Sequence, residues 1–455
     1  MADLKNIRAV YFIGIGGIGM SALARYFKSQ GRTVNGYDKT ETALTRQLVK
    51  EGIGVEFTDN TDQIPKDVQL VVYTPAIPAN HQGLKYYRDH DYEVLKRSDV
   101  LGLITESSLN VCVAGTHGKT TISTMIAHIL RDSGFGCNAF LGGISSNYDT
   151  NFWSDERNVC VVEADEYDRS FLKLHPDIAV ISSMDADHLD IYGTGEAVEA
   201  AFIAFSGKIK NGGTLINKYG LPLPHPGKDI RQIKYHLSDP EADTYAENIR
   251  INEGSYLFDV AGKNWSLANV KLNIGGRHNI ENALAAIAVS KKLGLTDEQI
   301  RQAVDRFRGV KRRFEYQAQN RGTIYIDDYA HHPKELSALI SSAKELYPEK
   351  RCVVIFQPHL FSRTRDFAEA FAESLDMADE VILLPVYPAR ELPIEGVSSA
   401  TIMNKMKIRE KQILNKKEVL DWIKKQTDKE SLLLITAGAG DIDTLVKPIA
   451  EMIKG

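Results

Sequence analysis

The chain has 455 residues, of which 43% are hydrophobic and 25% are charged, with a formal net charge of -5. This length is too great for one comfortable hydrophobic core and predicts about two to four domains. The slight acidic excess argues against a nucleic-acid or anionic-membrane partner, because such partners usually select a basic excess. The four cysteines form no C-x-x-C pair, so we expect buried reduced thiols in preference to a zinc site or a disulfide framework.

An uncharged run near the N-terminus, AVYFIGIGGIGMSALA, is shorter than the roughly 18 apolar residues that a membrane span needs. It is rich in glycine, and no basic segment of the signal-peptide type precedes it. We interpret the run as a buried strand and turn. The sequence therefore predicts a cytoplasmic protein without membrane insertion.

The first hundred residues alternate short apolar runs with amphipathic segments. RAVYFIGIG, TVNGYD and VQLVVYTPAI are predicted strands, and MSALARYFKSQG is a predicted helix. This alternation indicates a parallel sheet built from βαβ units. Gly14, Gly16 and Gly19 have the spacing of a dinucleotide-binding turn, and Asp38 lies about where a ribose-binding acid is expected. A dehydrogenase is therefore one hypothesis for this segment.

The pattern restarts near residue 106, which we interpret as a domain boundary. The strand NVCVAG leads through the loop GTHGKTT into the helix KTTISTMIAHILRDSG. A loop in this position offers a phosphate both free amides and the positive end of a helix dipole. Lys119 can reach the terminal phosphates, and the Thr120 hydroxyl can bind magnesium. The spacing is shorter than the common G-x-x-x-x-G-K-[ST], with Val at position 113, but the context predicts a phosphate-binding loop.

Two further apolar runs end in acidic residues, NVCVVEADEYD and DIAVISSMDADHLD. Strand ends of a parallel sheet are where ligands collect, so these acids are expected near the loop. Carboxylates beside Mg-ATP hold the metal that bridges the phosphates. Either segment alone fits ordinary turn residues, whereas the two together favour a metal site. The residues concerned are Glu163, Asp165, Glu166, Asp185, Asp187 and His188.

The last third of the chain follows a polar segment, RGVKRRFEYQAQNRG, that is predicted to be a linker. From TIYIDDYAHHP the alternation resumes, with CVVIFQPH, EVILLPVYPA and SLLLITAGAG as buried strands. Arg312 and Arg313 are either part of a solvated face or a clamp for phosphate, whose oxygens match guanidinium donors in pairs. QPHLFSRTRD places His359, Arg363 and Arg365 at the end of a buried strand, which is a ligand-facing position.

As an ordered set, eight segments resemble the Mur ligases of peptidoglycan synthesis: GIGGIGMS, GTHGKTT, EADEYD, DADHLDIYG, RHNIENALAA, GVKRRFE, DDYAHHP and QPHLFSRTRD. The resemblance extends from residue 11 to TAGAGDI near residue 440, and within the family it is to the alanine-adding branch. It implies a three-domain α/β fold. The implied domains are a Rossmann-like N-terminal domain for a UDP-sugar (1–105), a central P-loop ATPase-type parallel-sheet domain for ATP (106–316) and a C-terminal Rossmann-like domain for an amino acid (317–455).

The resemblance also implies an ATP-dependent carbon–nitrogen ligase. ATP would phosphorylate the lactyl carboxylate of UDP-N-acetylmuramate, and the amine of L-alanine would attack the acyl phosphate to leave an amide. The phosphorylation is needed because a carboxylate is a poor electrophile until its oxygen becomes a leaving group. The expected partners are these small molecules and Mg²⁺, as two ions, and the chain is expected to be a monomer or a homodimer.

Site residues carried over by position fall into five groups. The ATP-binding group is Gly115, Thr116, His117, Gly118, Lys119, Thr120, Thr121, His278, Asn279, Asn282, Arg313 and Asp328. The UDP-sugar group is Gly14, Gly16, Gly17, Gly19, Asp38 and Thr74. The amino-acid side is His331, His359, Arg363 and Arg365, and the metal ligands are Thr120, Glu163 and His188. The catalytic group is Lys119, His188, Arg313 and His359, with the general base left open between a histidine such as His359 and no base at all.

One departure from the family concerns the second metal ion. Several sibling ligases carry a carbamylated lysine shortly after the D-H-x-D segment, whereas EAVEAAFIAFSGK has apolar residues at that place. The ligands of a second magnesium ion are therefore left open. Ser183 and Leu360 also differ from residues common in the family, and we expect both differences to concern the fine detail of the substrate site and not the reaction.

Three alternatives compete with the alanine-adding ligase. A recycling ligase that attaches a whole tripeptide shares GTHGKTT and an EADEYD-like strand, but PARELPIEG and GIGGIGMSALA resemble the alanine-adding branch. A nucleotide-binding regulator would not need the histidine and arginine cluster of the third domain. A dehydrogenase leaves GTHGKTT and both acidic strands unexplained. We therefore expect the first glycines to bind the diphosphate of a UDP-linked substrate.

Overall fold

The computed structural model describes residues 4, 6–78, 80–186, 189–320, 322–389, 391–426 and 431–454, with the backbone alone at 189–190. Within these residues the chain forms three β-sheets, each accompanied by helices. The chain divides into two compact units. The first comprises 1–247, 259–270 and 281–307, and the second comprises 248–258, 271–280 and 308–455.

The first sheet is parallel and has five strands. Its elements are β1 Ala9–Ile13, α1 Ile18–Ser29, β2 Thr33–Tyr37, α2 Ala43–Lys50, β3 Gly54–Glu56, β4 Leu70–Tyr73, α3 Gln82–Asp89, β5 Val94–Lys96 and α4 Arg97–Glu106. The strand order is β3-β2-β1-β4-β5. The order reverses between β1 and β4, and open α/β sheets bind ligands at such a reversal. The glycine loop after β1 and Thr74 after β4 both lie at this point.

The second sheet has ten strands. Its elements are β6 Leu109–Ala114, α5 Lys119–Asp132, β7 Asn138–Ser145, β8 Thr150–Trp153, β9 Val159–Glu163, a 3-10 segment Tyr167–Lys173, β10 Ile178–Ile181, α6 Leu189–Tyr192, α7 Gly195–Ser206, β11 Thr214–Lys218, β12 Arg231–His236, β13 Thr244–Asn252, β14 Ser255–Gly262, β15 Trp265–Leu272, α8 Arg277–Lys292 and α9 Asp297–Arg306. The order is β15-β14-β13-β12-β11-β10-β6-β9-β7-β8. The sequence pattern identified β6, β9 and β10 but did not identify β12 to β15.

Strand β6 is the centre of the second sheet. It pairs in parallel with β9 on one side and with β10 on the other. All three strands consist mainly of Val, Ile, Ala and Cys and are buried along nearly their whole length, as expected of parallel strands covered on both faces. The carboxyl ends of the three strands therefore lie at one edge of the sheet, and the loop that follows β6 lies between the two acidic segments.

The third sheet lies in the second unit. Its elements are β16 Glu315–Gln319, β17 Thr323–Asp328, α10 Pro333–Leu346, β18 Arg351–Phe356, α11 Phe361–Asp366, α12 Ala368–Leu375, β19 Glu380–Leu383, α13 Ser399–Met403, β20 Lys411–Ile413, α14 Lys416–Gln426, β21 Leu432–Ala437 and α15 Asp443–Lys454. The order is β16-β17-β21-β18-β19-β20, and β16 is antiparallel to β17. Part of the segment that the sequence predicted as a linker is therefore an edge strand, because its polar residues suit a strand with one solvated side.

Three further findings bear on the expectations from sequence. The expected boundary near residue 106 lies inside the first compact unit, and the expected boundary at 316/317 falls within β16. The division into 1–105, 106–316 and 317–455 stays a prediction. The four cysteines are free and buried. In the described part of the chain, no helix is long and apolar enough to cross a membrane.

Candidate active site

The loop between β6 and α5 has the backbone geometry of a phosphate-binding loop. Gly118, the residue before α5, has φ = 83°, which is left-handed and favours glycine. A Cβ at this position would lie 2.8 Å from Oδ1 of Asn282, so the absence of a side chain lets α8 approach the loop. Thr116, Thr120 and Thr121 are buried around it. The free amides at the start of α5 are therefore available to an anion.

Lys119 is held at the loop by a buried carboxylate. Its Nζ lies 2.7 Å from the Gly115 carbonyl oxygen and 2.7 Å from Oε1 of Glu166. Glu166 is only 1% exposed, and Tyr192 donates a hydrogen bond of 2.6 Å to its carbonyl oxygen. Lys119 therefore has a defined position beside the loop. Glu166 came from the acidic segment after β9, and its pairing with Lys119 was not predicted from the sequence.

Thr120 and Glu163 form a hydrogen-bonded pair of oxygen-bearing side chains beside the loop. The Thr120 hydroxyl donates a hydrogen bond of 2.9 Å to Oε1 of Glu163, and the amide of Gly142 donates one of 2.9 Å to Oε2. A hydroxyl and a carboxylate are ligands that suit Mg²⁺. Asp187 and His188, also expected here, lie outside the described residues. Among the described residues no group of three or more His, Cys, Asp or Glu could hold a metal ion.

The acidic segment after β10 forms hydrogen bonds to the phosphate loop. The Ser183 hydroxyl accepts a hydrogen bond of 2.8 Å from the amide of His117 and lies 2.9 Å from the Thr116 hydroxyl. The amide of Asp185 donates to the same threonine hydroxyl at 3.2 Å. The Asp185 carboxylate lies 3.5 Å from Nε2 of His117, and both side chains are exposed. These contacts fix the shape of the loop from the side of β10.

The first glycine loop, after β1, is shaped by Asp38. Oδ2 of Asp38 accepts a hydrogen bond of 2.8 Å from the amide of Gly16, and Oδ1 accepts one of 3.2 Å from Thr40. Both carboxylate oxygens are therefore engaged by the backbone of this region. Gly17 is the residue immediately before α1, so the loop also ends at a helix N-terminus. Asp38 thus stabilises the turn through its own hydrogen bonds. Its position in the sequence can be explained without a bound ribose.

A cavity of about 470 Å³ connects the first glycine loop with the end of β9. Its size suits a small molecule. The lining includes Gly17, Gly19, Thr74, Arg97, Leu141, Gly142, Glu163, Asp165, Tyr167 and Ser170. Glu163 therefore lies at the wall of this cavity and also contacts Thr120 of the phosphate loop. All of these residues belong to the first unit.

Arg97 is a cavity residue that the sequence analysis missed. It is the first residue of α4, and its side chain is 22% exposed and 3.9 Å from the Asp165 carboxylate. A Cβ on Gly19 would lie 3.1 Å from its Nη1, so the guanidinium lies directly against the glycine loop. In the sequence, an arginine within LKRSD resembles any solvated charge. Only the fold places it beside the loop.

Asp328, at the end of β17 in the second unit, is held by backbone amides. Oδ2 accepts a hydrogen bond of 2.7 Å from Phe314, and Oδ1 accepts one of 2.7 Å from Ala330. Burial raises the pKa of Asp328 to about 6, while these amides and the charge of Arg313 act in the opposite direction. Arg313 itself is exposed. The structure thus brings Arg313 and Asp328 together, as two residues expected to contact the nucleotide.

The neighbouring Arg312 forms contacts that stabilise the fold of the second unit. Its Nε lies 3.3 Å from Oδ2 of the fully buried Asp327, and its Nη2 donates a hydrogen bond of 2.5 Å to the Gly438 carbonyl oxygen. The Thr436 hydroxyl donates to Oδ1 of Asp327 at 2.6 Å. These contacts connect the linker segment to β17 and β21. Arg312 therefore fits neither alternative, because it packs against the third sheet, whereas Arg313 is exposed and both alternatives stay open for it.

His331, His359 and Arg363 form a second cluster in the second unit. The rings of His331 and His359 have centroids 6.2 Å apart, and the His359 ring stacks on Tyr387 at 5.9 Å. Among the described residues, buried Nδ1 of His359 and Nη1 of Arg363 have no hydrogen-bond partner. Burial lowers the pKa of His359, and the nearby charges of Arg363 and His331 lower it further. His359 and Arg363 are therefore close enough for their charges to interact, and the lowered pKa favours the neutral imidazole of His359 near pH 7.

Arg365 does not join this cluster. It is exposed and lies 2.7 Å from the carboxylate of its neighbour Asp366. At the start of α8, the side-chain Nδ2 of Asn279 donates a hydrogen bond of 2.6 Å to the Gly275 carbonyl oxygen, and His278 is exposed. Asn279 is thus engaged in closing its own helix end, and Asn282 is the residue of this motif that lies against the phosphate loop.

Three family models match the chain in succession. Residues 9–108 match "Mur ligase family, catalytic domain", residues 113–290 match "Mur ligase middle domain", and residues 312–440 match "Mur ligase, glutamate ligase domain". A UDP-N-acetylmuramate–L-alanine ligase from Flavobacterium johnsoniae is 46% identical over 455 residues, which cover 99% of each chain. The chain belongs to the Mur ligase family.

Solved structures agree with this assignment. A UDP-N-acetylmuramate–alanine ligase from Thermotoga maritima superposes with a TM-score of 0.82 at 28% identity, covering 99% of each chain. A murein peptide ligase from Psychrobacter arcticus superposes with a TM-score of 0.67 at 22% identity, covering 98% of each chain, and this likeness concerns the fold alone. The predicted three-domain α/β fold of a Mur ligase and its use of ATP are confirmed.

Proposed function

We propose that this Mur ligase joins L-alanine to the lactyl carboxylate of UDP-N-acetylmuramate, with ATP as the energy source, in peptidoglycan precursor synthesis. One observation carries the proposal: Glu163 lines the cavity at the first glycine loop and also accepts the hydrogen bond from Thr120 of the phosphate loop. A carboxylate bound in that cavity would therefore meet the terminal phosphate of ATP. The relative from Flavobacterium johnsoniae carries the same activity in its name.

On the ATP side, the loop of residues 115–121 at the start of α5 cradles the phosphates. Lys119 leaves Glu166 to contact the phosphate that is transferred, and its positive charge stabilises the charge that develops there. Asn282, against Gly118, lies where it can contact the nucleotide. His278 and Asn279, together with Arg313 and Asp328, complete the set of residues that we assign to ATP.

The pair of Thr120 and Glu163 fits a magnesium ion, because both offer hard oxygen ligands beside the phosphate loop. We assign these two residues as ligands, with His188 as a third. When bound, the ion would neutralise phosphate charge during the transfer. We propose two ions in the working enzyme, in keeping with the two acidic segments that flank the loop.

On the UDP-sugar side, the glycine loop after β1 and the start of α1 present amides to the diphosphate. Gly14, Gly16, Gly17 and Gly19 allow the backbone to approach it, with Thr74 on the neighbouring strand end. Arg97 joins this group, since its guanidinium lies against Gly19 and can pair with phosphate oxygens. Asp38 acts by fixing the turn.

The reaction then follows from elementary chemistry. The lactyl carboxylate oxygen attacks the γ-phosphorus of ATP, and ADP leaves. The neutral amine of L-alanine attacks the carbonyl carbon of the acyl phosphate, and the tetrahedral intermediate expels inorganic phosphate to form the amide. The attacking nitrogen must lose a proton, and His359 is the residue that we assign to accept it, because its lowered pKa keeps the imidazole neutral near pH 7. Arg363 and His331 would hold the alanine carboxylate, with Arg365 at the edge of the site.

The proposed reaction is tested by phosphate release from ATP. The purified chain is supplied with UDP-N-acetylmuramate and Mg²⁺, and then with L-alanine or with L-alanyl-γ-D-glutamyl-meso-diaminopimelate. Release that depends on L-alanine, with formation of the UDP-linked amide by mass spectrometry, is expected. Release with the tripeptide alone would identify the recycling ligase instead. No release with either amine would overturn the ligase assignment.

The role of His359 has its own test in the pH dependence of the rate. If His359 accepts the proton, kcat falls below the lowered pKa of this histidine, on the acid side of 6.5, because the protonated ring cannot act as a base. The variant His359→Gln should lose this acidic limb together with most of the rate. An unchanged acidic limb in the variant would assign it to another group.

Several broader features accompany the proposed function. We propose that the enzyme works in the cytoplasm, without nucleic-acid partners and without membrane insertion, as a monomer or a homodimer. We also propose that the three matched segments act as a UDP-sugar domain at 1–105, an ATP domain at 106–316 and an amino-acid domain at 317–455. Identity to L-alanine ligases over nearly the full chain favours L-alanine over a tripeptide.

A further inference from the structure

Helix α1, whose N-terminus follows the first glycine loop, is hydrogen-bonded to a side chain of the second sheet. Asn151, on β8, is completely buried. Its Nδ2 donates a hydrogen bond of 2.5 Å to the Ile18 carbonyl oxygen and one of 3.2 Å to the Ser21 hydroxyl. Both acceptors belong to the first turn of α1. Asn151 therefore holds the end of the helix that carries the glycine loop.

The same amide also contacts the third turn of α1. Oδ1 of Asn151 accepts a short hydrogen bond from Nη1 of Arg25, which is itself buried. The other side of the Arg25 guanidinium pairs with Glu51, with distances of 2.7 Å from Nε and 3.0 Å from Nη2. Both amide hydrogens and the carbonyl of Asn151 are thus engaged, which fixes its orientation.

Aromatic packing on the same side of α1 strengthens this arrangement. The centroid of the Tyr26 ring lies 5.3 Å from the ring centroid of Phe140 on β7 and 6.2 Å from that of Phe152 on β8. The apolar contacts keep α1 on the second sheet but allow sliding, because they have little directional preference. The hydrogen bonds of Asn151 are directional, so they determine where along the sheet the helix begins.

We propose that Asn151 is a positioning residue for the UDP-linked substrate. Gly17, Ile18 and Gly19 at the start of α1 line the cavity, and Glu163 lines it from the second sheet. Asn151 fixes the start of α1 relative to that sheet, and so fixes the distance between the diphosphate site and the carboxylate that contacts the phosphate loop. The inference rests on the proposed function in one respect, that the cavity takes the UDP moiety.

The chain offers a matched control in Asn138, on the adjacent strand β7. Asn138 is also buried, its Nδ2 donates to the Arg157 carbonyl oxygen at 3.0 Å, and its Oδ1 accepts from the amide of Asp155 at 3.3 Å. These partners are remote from α1 along the chain, in a turn before β9. Asn138→Ala therefore removes a comparable buried amide from the same sheet, and the hydrogen bonds that it removes do not involve α1.

The experiment compares Asn151→Ala and Asn138→Ala with the unmodified enzyme. Calorimetry with UDP and with ADP gives the affinity at each site, and steady-state kinetics give KM for UDP-N-acetylmuramate and for ATP. Asn151→Ala is expected to weaken UDP binding about tenfold and to raise KM for the UDP-sugar about tenfold. A tenfold change is equivalent to about 1.4 kcal/mol. ADP affinity and KM for ATP should change by less than about twofold, as for loss of a contact that serves one substrate. Asn138→Ala should leave the ratio of the two affinities unchanged.

A second variant guards against a merely unfolded protein. Asn151→Asp keeps an acceptor for Arg25 and loses the donor to Ile18 and Ser21. It should therefore lower the affinity for UDP as much as the alanine variant does. Hydrogen–deuterium exchange should show faster exchange of the amides of α1 than in the unmodified enzyme in both Asn151 variants, and no such change in Asn138→Ala. Equal losses of UDP and ADP affinity, or unchanged UDP affinity in a folded variant, would overturn the inference. An unmodified enzyme that fails to bind UDP at all would instead overturn the proposed function.

Discussion

The two glycine loops of the first unit share a backbone design and differ in their side chains. Each follows a central parallel strand, β1 or β6, and each leads directly into a helix, α1 or α5. The loop after β1 lies where the strand order of its sheet reverses, and the loop after β6 lies between the ends of the two neighbouring strands β9 and β10. Both loops can therefore present amides to an anion. Glycine spacing alone therefore indicates a phosphate or diphosphate and does not say which molecule carries it.

The side chains make the difference. The loop after β6 is surrounded by reactive groups, with Lys119 paired to Glu166 and Thr120 paired to Glu163. The loop after β1 has Asp38 bound to its own backbone and Arg97 as a cation at its rim. The first environment suits transfer of a phosphoryl group, whereas the second suits holding a diphosphate that does not react. The following predictions test this division, from the largest expected effect to the smallest.

Lys119→Ala should abolish turnover and leave UDP binding intact. The positive charge at the transferred phosphate is lost, and removal of one such group from a preorganised site costs about hundredfold to thousandfold or more in kcat. UDP affinity should stay within about twofold, because Lys119 contacts the other loop. Phosphate release and calorimetry with UDP measure the two effects. A matched loss of UDP affinity would show that the two loops do not act separately.

Arg97→Ala should have the opposite pattern. KM for UDP-N-acetylmuramate should rise about thirtyfold, equivalent to about 2 kcal/mol for a charge that pairs with phosphate, with KM for ATP unchanged. The variant Arg97→Lys should recover part of the affinity, since it restores the charge but not the paired donors. If KM for ATP rose and KM for the UDP-sugar did not, Arg97 would belong to the other site.

Gly118→Ala should weaken ATP binding by about tenfold. Its left-handed backbone costs an alanine about 1 kcal/mol, and the added Cβ would lie 2.8 Å from Oδ1 of Asn282, which must move. The measurements are KM for ATP and the melting temperature. Gly134→Ala provides a control, because Gly134 is also left-handed at φ = 74° but has open space around it. Similar losses of ATP affinity in both variants would contradict a specific role for the loop.

Asp38→Asn should have the smallest effect. An asparagine keeps one oxygen acceptor for the backbone amides of Gly16 and Thr40, so KM for the UDP-sugar should change by less than about threefold, the scale of one weakened hydrogen bond. NADH and NADPH should not bind to the unmodified enzyme, as fluorescence titration would show. Tight binding of NADH that disappears in the variant would revive the dehydrogenase hypothesis.

Much of the fold could be predicted from the sequence, and particular elements show why the rest could not. Runs such as NVCVAG and IAVI are long and apolar enough to mark strands covered on both faces. Strands β3 and β5 have only three residues each, too few to show any periodicity. The strands from β12 to β15 alternate exposed and buried residues irregularly, so their pairing depends on neighbours distant in the chain.

The candidate site shows the same limit. Lys119 and Thr120 could be recognised because a phosphate loop is a local arrangement of a strand end, glycines and a helix start. The roles of Glu166, Arg97 and Asn151 could not, because each depends on a partner from another element. An isolated arginine or asparagine in a sequence has no local signal that separates a site residue from a solvated one.

The sequence by itself determined that this protein belongs among the ATP-dependent ligases, and it predicted phosphate binding at two glycine loops, because both features depend on short segments in a fixed order. The tertiary structure decided how the two loops are related. It places Glu163 between the cavity and Thr120, sets Arg97 against Gly19, and directs Asp38 into its own turn. The reason is physical: side-chain contacts across sheets depend on packing in three dimensions, whereas strand, loop and helix propensities are encoded locally.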